Sequence, residues 1–413
     1  MEREKTDILV IGAGPSGTIA ASLVNKSGLK VRIVEKEKFP RFVIGESLLP
    51  RCMDHFEEAG FMDVIKKQGY QEKQGAIFLK GKERCEFEFS EQFTKGWEWT
   101  YQIPRDHFDK VLADEVQRMG VPIDFETTVT DIKFNGSDSV TTVVDKDGKE
   151  KQIEARFIID ASGYGRVIPR LFNLNVPSTL PRRDTLFTQV KDVNRPTGHD
   201  SQRIVIVAHR QDVWIWIIPF SNGNTSVGFV GNPKFFEEFE GTKEERLRAM
   251  LASEPHTRER FKDVEMRFEP VKIEGYSISV KQLYGDGYVL TGNATEFLDP
   301  VFSAGVTFAT ESGAAAGKLA SRQLKGEKVN WDKEYVDVVL HGVAVFRTYI
   351  EGWYDGTVQK IFFAKDPGQE NKNKICSVLA GYVWDMDNPY VTKHDKAVKA
   401  LAEVIDIRSA VKG

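Results

Sequence analysis

The 413-residue chain is poor in cysteine and histidine, and it has no long apolar run. Its three cysteines, Cys52, Cys85 and Cys376, are far apart and form no CxxC pair, which argues against a disulfide framework or a cysteine-ligated zinc site. The seven histidines show no HxxxH spacing, so we predict no dedicated metal site. No apolar stretch approaches the roughly 20 residues of a membrane span, and the N-terminus lacks the apolar core of a signal peptide. We therefore predict a cytoplasmic protein without a membrane span.

Charge of either sign is not in excess. The 57 Lys and Arg residues nearly balance the 61 Asp and Glu residues, for a net charge of -4. This balance gives no electrostatic signature of nucleic acid, and we predict no nucleic-acid partner. Hydrophobic residues make up 41% and charged residues 29%, as is usual in globular proteins, and the length allows more than one packed unit.

The first 35 residues carry a strand, a glycine turn, a helix and a second strand. "GAGPSG", from Gly12 to Gly17, follows the strand "DILVI" and opens the helix. In a GxGxxG turn the first glycine permits the tight turn, the second lets the backbone approach a pyrophosphate, and the third allows close packing of helix and strand. Glu35 ends the second strand, where a carboxylate can accept a hydrogen bond from a ribose hydroxyl. The alternative is a tight turn with a surface glutamate, but the combination of all four features favours a dinucleotide site.

The rest of the chain alternates between α/β and β-rich stretches. We predict an α/β protein (an α+β composite) with three parts: a Rossmann-like dinucleotide-binding domain with the GxGxxG turn, an inserted antiparallel sheet that forms a substrate domain, and a helical C-terminal region. The predicted bounds are 1–75, 101–170 and 281–330 for the first domain, 76–100 and 171–280 for the second, and 331–413 for the helical region.

The segment "VWIWIIPF", residues 213–220, is apolar on both faces of an extended strand. Side chains alternate, so Trp214 and Trp216 share one face with Ile218, while Val213, Ile215 and Ile217 occupy the other. Such a strand is buried on both sides. The two indoles are either ordinary core or a wall beside a site.

Several segments resemble those of FAD enzymes of the aromatic hydroxylase superfamily. They are "PRDHFDKVL", "FIIDASG" and "GDGYVLTGNATEFLDPVFSAGV". The resemblance implies FAD as cofactor, with Arg41 and Arg105 facing its phosphates or ribityl chain. Asn293 stands where the family usually has an aspartate that holds the ribityl hydroxyls, so this contact loses a charge. No second glycine fingerprint marks a nicotinamide site, which implies an external flavin reductase or another supply of reduced flavin.

The glycine motif and this resemblance together assign twenty residues to FAD binding. They are Gly12, Gly14, Pro15, Ser16, Gly17, Glu35, Lys36, Arg41, Gly45, Glu46, Ser47, Arg105, Val129, Asp160, Gly163, Gly292, Asn293, Pro300, Gly305 and Val306.

Within that superfamily, four motifs resemble the flavin-dependent halogenases. "WIWIIP" matches their WxWxIP motif, "FPRFVIGESLLP" their GES loop, and "FLDPVFSAGV" the segment that passes over the flavin in the phenol and pyrrole branch. "QEKQGAIFLKG" places Lys73 where the family has its essential lysine. The resemblance covers about residues 1–320. It implies that a flavin C4a-hydroperoxide oxidises halide held at Ala304 and Gly305 to hypohalous acid, which Lys73 then holds, while Trp214 and Trp216 separate the flavin from the substrate.

One position within these motifs narrows the implied substrate. Phe302 stands where tryptophan halogenases have a glutamate, so a phenolic or pyrrolic compound, often bound to a carrier protein, fits better than free tryptophan. No general base for a phenol can be located from the sequence.

Alternatives stay open at this stage. Lys73 could be a solvated lysine, the Ser303–Gly305 turn could serve FAD alone, and the aromatic C-terminal helices could be packing only. The whole protein could instead be a reductase resembling geranylgeranyl reductase, an aromatic hydroxylase, or a flavin-binding protein without catalysis.

Overall fold

The computed structural model describes residues 2–296 and 298–412. Its strands are β1 Glu2–Ile11, β2 Val31–Val34, β3 Gln71–Lys73, β4 Gly75–Lys80, β5 Glu83–Glu88, β6 Thr100–Gln102, β7 Ile123–Asp124, β8 Thr128–Asn135, β9 Asp138–Val144, β10 Glu150–Asp160, β11 Asn175–Pro177, β12 Asp184–Lys191, β13 Arg203–Arg210, β14 Val213–Pro219, β15 Asn224–Gly231, β16 Val271–Glu274, β17 Ile278–Val280, β18 Tyr284–Gly285 and β19 Tyr288–Leu290. Its α-helices are α1 Pro15–Lys26, α2 Arg51–Ala59, α3 Met62–Lys66, α4 Arg105–Arg118, α5 Val167–Leu171, α6 Pro233–Glu237, α7 Lys243–Ser253, α8 Pro255–Arg258, α9 Ala304–Leu324, α10 Asp337–Asp355, α11 Thr357–Phe362, α12 Gln369–Leu379, α13 Pro389–Thr392 and α14 His394–Lys412.

The first large sheet has eight strands and is mostly parallel at its centre. Along its main path the order is β18-β19-β10-β1-β2-β7, and the β8–β9 hairpin joins through β9. Strands β10, β1, β2 and β7 run parallel, as do β10 and β19. This is the Rossmann-like arrangement that the βαβ pattern predicts, and it places the glycine turn at the carboxyl end of β1.

Small residues let α9 pack closely against α1. A Cβ atom added at Gly313 would lie 2.5 Å from the backbone oxygen of Ser16, and one at Gly317 would lie 2.8 Å from that of Ala20. The run "SGAAAGKLAS" therefore sets the distance between the helix that follows the glycine turn and the helix that begins at Ala304.

The second large sheet has the order β16-β12-β15-β14-β13-β4-β5. The prediction of an antiparallel sheet is right for every pair except β4 and β13, which run parallel. Neighbouring hairpins force antiparallel pairing, whereas β4 and β13 are joined through a long excursion into the first sheet that leaves their direction free. The division into domains stays a prediction, although each large sheet takes its strands from the ranges predicted for one domain.

Strand β14 is buried on both faces, as its apolar alternation predicts. Trp214, Trp216 and Ile218 face the main core, and Val213, Ile215 and Ile217 belong to a separate core under α6 and α7. Helix α7 begins with a capping box between Thr242 and Glu245, so this covering layer has a well-defined start.

The C-terminal part is helical, as predicted, and most of its large aromatic side chains are buried. Helix α9 begins at Ala304, directly after Ser303, whose left-handed conformation (φ 58°) ends the preceding turn. Within residues 2–296 and 298–412, no helix is both long enough and apolar enough to cross a membrane.

Candidate active site

A cavity of about 560 Å³ extends from the glycine turn to the inner face of the second sheet. Of the twenty residues assigned to FAD, all but Gly17 and Asp160 line it, and so do Trp214 and Trp216. Lys73 and Ala304 do not line it. The structure therefore brings the flavin motifs together around one space and leaves Lys73 behind its wall.

The glycine turn is closed by close backbone contacts. A Cβ atom at Gly12 would lie 2.5 Å from the oxygen of Ala161, and one at Gly17 would lie 1.9 Å from the oxygen of Gly12. At Gly14 the nearest atom would be 3.5 Å away, on the Arg41 side chain. Gly12 and Gly17 are thus required by packing, whereas Gly14 leaves a bare backbone at the start of α1 that fits a pyrophosphate.

Glu35 anchors the turn from the end of β2. Its Oε2 atom accepts a hydrogen bond from the Ala13 backbone N–H at 2.8 Å, and its Oε1 atom accepts one from Glu37 at 2.9 Å. Each carboxylate oxygen keeps a further lone pair, so the side chain can still accept from a ribose hydroxyl.

Asp109 holds both arginines that the sequence assigns to the cofactor. Arg105 donates to it from two nitrogens, at 2.8 and 2.9 Å, and Arg41 donates at 2.9 Å. The two cations share one buried carboxylate, so the group keeps a net positive charge that suits phosphate. Sequence analysis missed Asp109, although it lies four residues after Arg105 on α4, the spacing of a helical ion pair.

Asp160 supports the site from outside the cavity. Its carboxylate accepts hydrogen bonds from the N–H groups of Ser162 and Ile168, at 3.0 and 2.7 Å. It thereby fixes the turn that carries Gly163 against the first glycine turn. Asn293 lines the cavity, and its backbone oxygen accepts from Arg166 at 2.7 Å.

Glu46, in the GES loop, is buried in the cavity wall. It accepts a hydrogen bond from Gln189 at 2.6 Å and is also hydrogen-bonded to Ser226, which in turn accepts the indole N–H of Trp216 at 3.0 Å. Burial raises the pKa of Glu46 to about 7, against the smaller opposing effect of these hydrogen bonds. The carboxyl group is therefore near its titration midpoint at neutral pH.

Lys73 is buried on the other side of the same loop. Its Nζ atom donates to the backbone oxygen of Leu48 at 2.8 Å and lies 5.4 Å from the centre of the Phe89 ring. Burial lowers the pKa of Lys73 to about 7, and only the nearby Cys52 opposes this shift. The lysine is not the solvated side chain of the alternative interpretation, since it is 1% exposed.

The start of α9 faces the cavity through Ser303, Gly305 and Val306. A 21-residue helix has unpaired N–H groups and a partial positive charge at its first turn, both of which suit an anion. Nothing lies within 4 Å of a Cβ atom at Gly305, so the backbone there is open. Ala304 is buried and contributes only its backbone to this turn.

Asp299 is the centre of a buried hydrogen-bond network that sequence analysis did not predict. Its Oδ2 atom accepts hydrogen bonds from Tyr354 at 2.7 Å and from Tyr276 at 3.3 Å, and Tyr354 accepts the indole N–H of Trp214 at 3.0 Å. Burial, assisted by Asp299, keeps the pKa of both tyrosines well above its usual value. Tyr354 comes from α10, so the C-terminal helices help to fix the Trp214 indole.

Phe302 packs into a cluster of aromatic rings from β4, α10 and α11. Its ring centre lies 6.3 Å from Phe78, 6.0 Å from Trp353 and 6.3 Å from Phe362. Position 302, which corresponds to the glutamate of the tryptophan halogenases in the resemblance above, therefore has an apolar side chain with aromatic neighbours.

Glu86, Glu88 and His199 come close enough to share a metal ion. However, Arg84 pairs with Glu86 and Arg203 pairs with Glu88, and His199 is exposed. This group is therefore an ion-pair network rather than a candidate metal centre.

Comparison with known proteins agrees with this geometry. A family model described as "FAD binding domain" matches residues 5–331. A solved structure of a flavoprotein/dehydrogenase from Cytophaga hutchinsonii is 62% identical, has a TM-score of 0.97, and is matched over 98% of this chain and all of that one.

Halogenases are also among the similar proteins. The 1H-pyrrole-2-carbonyl-(peptidyl-carrier protein) chlorinase of Pseudomonas fluorescens is 26% identical, with 92% of this chain and 89% of that protein covered. The structure of the myxobacterial chondrochloren halogenase CndH is 26% identical in sequence and has a TM-score of 0.77. The match covers 97% of this chain and 97% of that chain.

Proposed function

The chain belongs to the FAD binding domain family, and from that premise we propose that this FAD-dependent oxidoreductase halogenates an electron-rich aromatic compound. Reduced FAD, when bound, supplies activated oxygen. The other parts of the reaction fall to the chain's own residues.

The observation that carries the proposal is the position of Lys73. It lies behind the GES loop, and its Nζ atom donates a hydrogen bond to the backbone oxygen of Leu48. Leu48 directly follows Ser47, the last residue of the loop that lines the cavity. A buried amine with a pKa of about 7 is uncharged in about half of the molecules at neutral pH, so it can react as a nitrogen nucleophile or donate hydrogen bonds as a cation. Both forms can hold hypohalous acid.

We assign the halide to the first turn of α9, at Ala304 and Gly305. Of these two residues Gly305 lines the same cavity as the flavin residues, and Ala304 lies directly behind it in the same turn. Trp214 and Trp216 line the cavity and are each fixed by a hydrogen bond from the indole N–H, so their rings cannot swing aside freely. They are suited to keep an organic substrate from the flavin.

We propose a phenolic or pyrrolic substrate, which Phe302 and its aromatic surroundings favour over an amino acid. Two relatives, a chlorinase and a brominase, act on 1H-pyrrole-2-carbonyl groups of a peptidyl-carrier protein, and we extend that mode of delivery to this chain. Its other partners would be halide and an external source of reduced flavin. A cytoplasmic location stays a prediction, in keeping with three unpaired cysteines.

A second candidate is dehydrogenation, reduction or hydroxylation directly at the flavin without halide. The 62% identical relative is described as a flavoprotein/dehydrogenase. The cavity also reaches Ile204 on β13 and Tyr276 between β16 and β17, where a substrate could meet the flavin.

Aerobic turnover with reduced FAD decides between the two candidates. We expect monochlorodimedone or a phenol panel to be halogenated with bromide or chloride present, and Lys73→Met to lower this rate at least 100-fold while FAD affinity stays within twofold. Lys318→Met, at an exposed ion pair with Glu58, is the matched control. Oxygen consumption or substrate oxidation with no halogenated product under either halide would favour the second candidate.

Replacing Trp216 with leucine should redirect the reaction as well as weaken the fold. The change removes a buried indole and its hydrogen bond to Ser226, at a cost of about 2 to 4 kcal/mol. If the indoles are a partition, hydroxylated product should appear beside halogenated product in mass spectra. Val213→Ala, on the opposite face of β14, should destabilise without any new product.

A further inference from the structure

Two indoles and a phenol lie in series between the cavity and the C-terminal end of α10. Trp216 and Trp214 line the cavity, and their ring centres are 6.0 Å apart. The Trp214 indole N–H donates to the hydroxyl of Tyr354 at 3.0 Å. Both tryptophans are buried, whereas Tyr354 is only partly buried and is outside the cavity lining. The series therefore leads away from the flavin residues and toward the surface.

Tyr354 has a base at its hydroxyl. Its oxygen accepts the Trp214 N–H, and its own O–H donates to Asp299 Oδ2 at 2.7 Å. The same Oδ2 atom accepts from Tyr276 at 3.3 Å, and Oδ1 accepts from the Val301 N–H at 3.1 Å. Three donors thus face a carboxyl group that is 3% exposed, an arrangement that suits an ionised carboxylate. Asp299 is therefore placed to take the phenolic proton of Tyr354.

This arrangement matters for one-electron oxidation. Indole and phenol rings are among the side chains that lose a single electron most readily. An oxidised phenol is a strong acid, so it persists only after its proton has moved to a base. The Tyr354 hydroxyl has the Asp299 carboxylate at hydrogen-bond distance, whereas the N–H of Trp214 faces a hydroxyl, which is a far weaker base. An electron vacancy formed on Trp214 should therefore end on Tyr354.

We infer that Trp216, Trp214 and Tyr354 form an electron-transfer chain that removes oxidising equivalents from the flavin cavity, with Asp299 as the proton acceptor. The oxidant is of the one-electron class, either photoexcited flavin or a radical by-product of oxygen activation, and it takes an electron from an indole. Tyr354 then restores the indole with one electron and passes its phenolic proton to Asp299 Oδ2. The products are the reduced oxidant, a neutral tyrosyl radical and a protonated Asp299.

The cycle closes at Tyr354, whose side chain is partly exposed. A one-electron reductant from solution, such as ascorbate, reduces the tyrosyl radical, and the proton returns from Asp299. The Arg183 guanidinium lies 4.2 Å from the centre of the Tyr354 ring and compensates the charge of Asp299 in the resting state. The chain rests on bound FAD and not on halogenation, so it applies to both candidate functions.

Flash photolysis of the FAD-loaded protein tests the chain without turnover. After blue light excites the flavin, transient absorption and electron paramagnetic resonance should show a tryptophanyl radical that is replaced by a tyrosyl radical. In Tyr354→Phe the tyrosyl signal should be lost, and the tryptophanyl radical should last about tenfold longer. Asp299→Asn should slow the appearance of the tyrosyl radical about tenfold, because an amide is a much weaker base than a carboxylate.

Tyr390→Phe is the matched control, because the Tyr390 hydroxyl donates to Asn371 at 3.0 Å and not to Asp299. Its radical kinetics should equal those of the natural protein. An unchanged lifetime of the tryptophanyl radical in Tyr354→Phe would mean that the hydroxyl only fixes the Trp214 indole, and it would overturn the chain. A tyrosyl radical that persists in Tyr354→Phe and disappears in Tyr276→Phe would overturn it as well.

Halogenation assays on the same proteins separate this chain from the proposed function. Halogenation by a protein that forms no tyrosyl radical would leave the proposed function and remove the chain. A tyrosyl radical that depends on Tyr354, in a protein that never halogenates, would support the chain and remove halogenation.

Discussion

Lys73→Met should make the protein more stable at neutral pH, and the gain should disappear at high pH. In the folded protein the amine has a pKa of about 7, against about 10.5 in the unfolded chain, so the unfolded state binds more protons between these values. Stability of the natural protein should therefore rise from pH 7 to 10.5, by up to about 4 to 5 kcal/mol. Methionine has no such pH dependence.

The difference in unfolding free energy between Lys73→Met and the natural protein should change sign as the pH rises. At or below pH 7 the variant escapes the full cost of a buried charge but loses the hydrogen bond to Leu48, worth about 1 to 3 kcal/mol, so we expect a net gain of about 2 kcal/mol. Near pH 10 only the lost hydrogen bond should remain, and the variant should be the less stable protein.

Urea midpoints of the FAD-free proteins between pH 6.5 and 10, in a buffer without halide, would measure this difference. A constant gap between the natural protein and Lys73→Met over that range would mean that the lysine is not held in an environment that disfavours its charge. Lys318→Met should show no pH-dependent difference, because that lysine is exposed.

Gly17→Ala should lower the stability of the protein, whereas Gly14→Ala should leave the stability almost unchanged and lower the affinity for FAD. At Gly17 the added methyl carbon would lie 1.9 Å from the Gly12 backbone oxygen, so α1 must move away from the turn. We expect a loss of more than about 3 kcal/mol in unfolding free energy, at the upper end of overpacking effects. At Gly14 the methyl group meets the Arg41 side chain at 3.5 Å and Asp109 Oδ2 at 4.0 Å, both ordinary contacts, and the unfolding free energy should change by less than about 1 kcal/mol.

Gly14→Ala should bind FAD more weakly although it remains folded. The Gly14 methyl group would stand where the backbone must approach the pyrophosphate, so we expect FAD affinity, measured by quenching of flavin fluorescence, to fall at least tenfold. Urea midpoints of the FAD-free proteins give the stability. Unchanged FAD affinity in Gly14→Ala would mean that the pyrophosphate is not bound at this turn.

Much of the site could be predicted because its determinants are local in sequence. The glycine turn needs only the order of strand, turn and helix, and the start of α4 at Arg105 is set by a few neighbouring residues. The GES and WxWxIP motifs are short and recognisable. Even the two faces of β14 follow from simple alternation, which requires no knowledge of what the strand pairs with.

Contacts between distant segments could not be predicted in this way. Glu46 and Gln189 are 143 residues apart, and Asp299 and Tyr354 are 55 apart, so no periodicity links them. The parallel pairing of β4 with β13 depends on a long connection whose path the pattern of residues does not specify. The start of α9 depends on the backbone conformation of one residue, Ser303, which serine does not ordinarily adopt.

The sequence by itself determined that this protein is a flavin-site protein with halogenase-like motifs, since those features are carried by short segments whose chemistry is local. Only the tertiary structure shows that Lys73 is buried and that its pKa is lowered. Its environment arises when β3 pairs with β6 and Ser47 of the GES loop bridges to Gln102, so the burial and the lowered pKa of Lys73 exist only after folding. Desolvation depends on every atom around the amine, and that information is not present in the residues next to it.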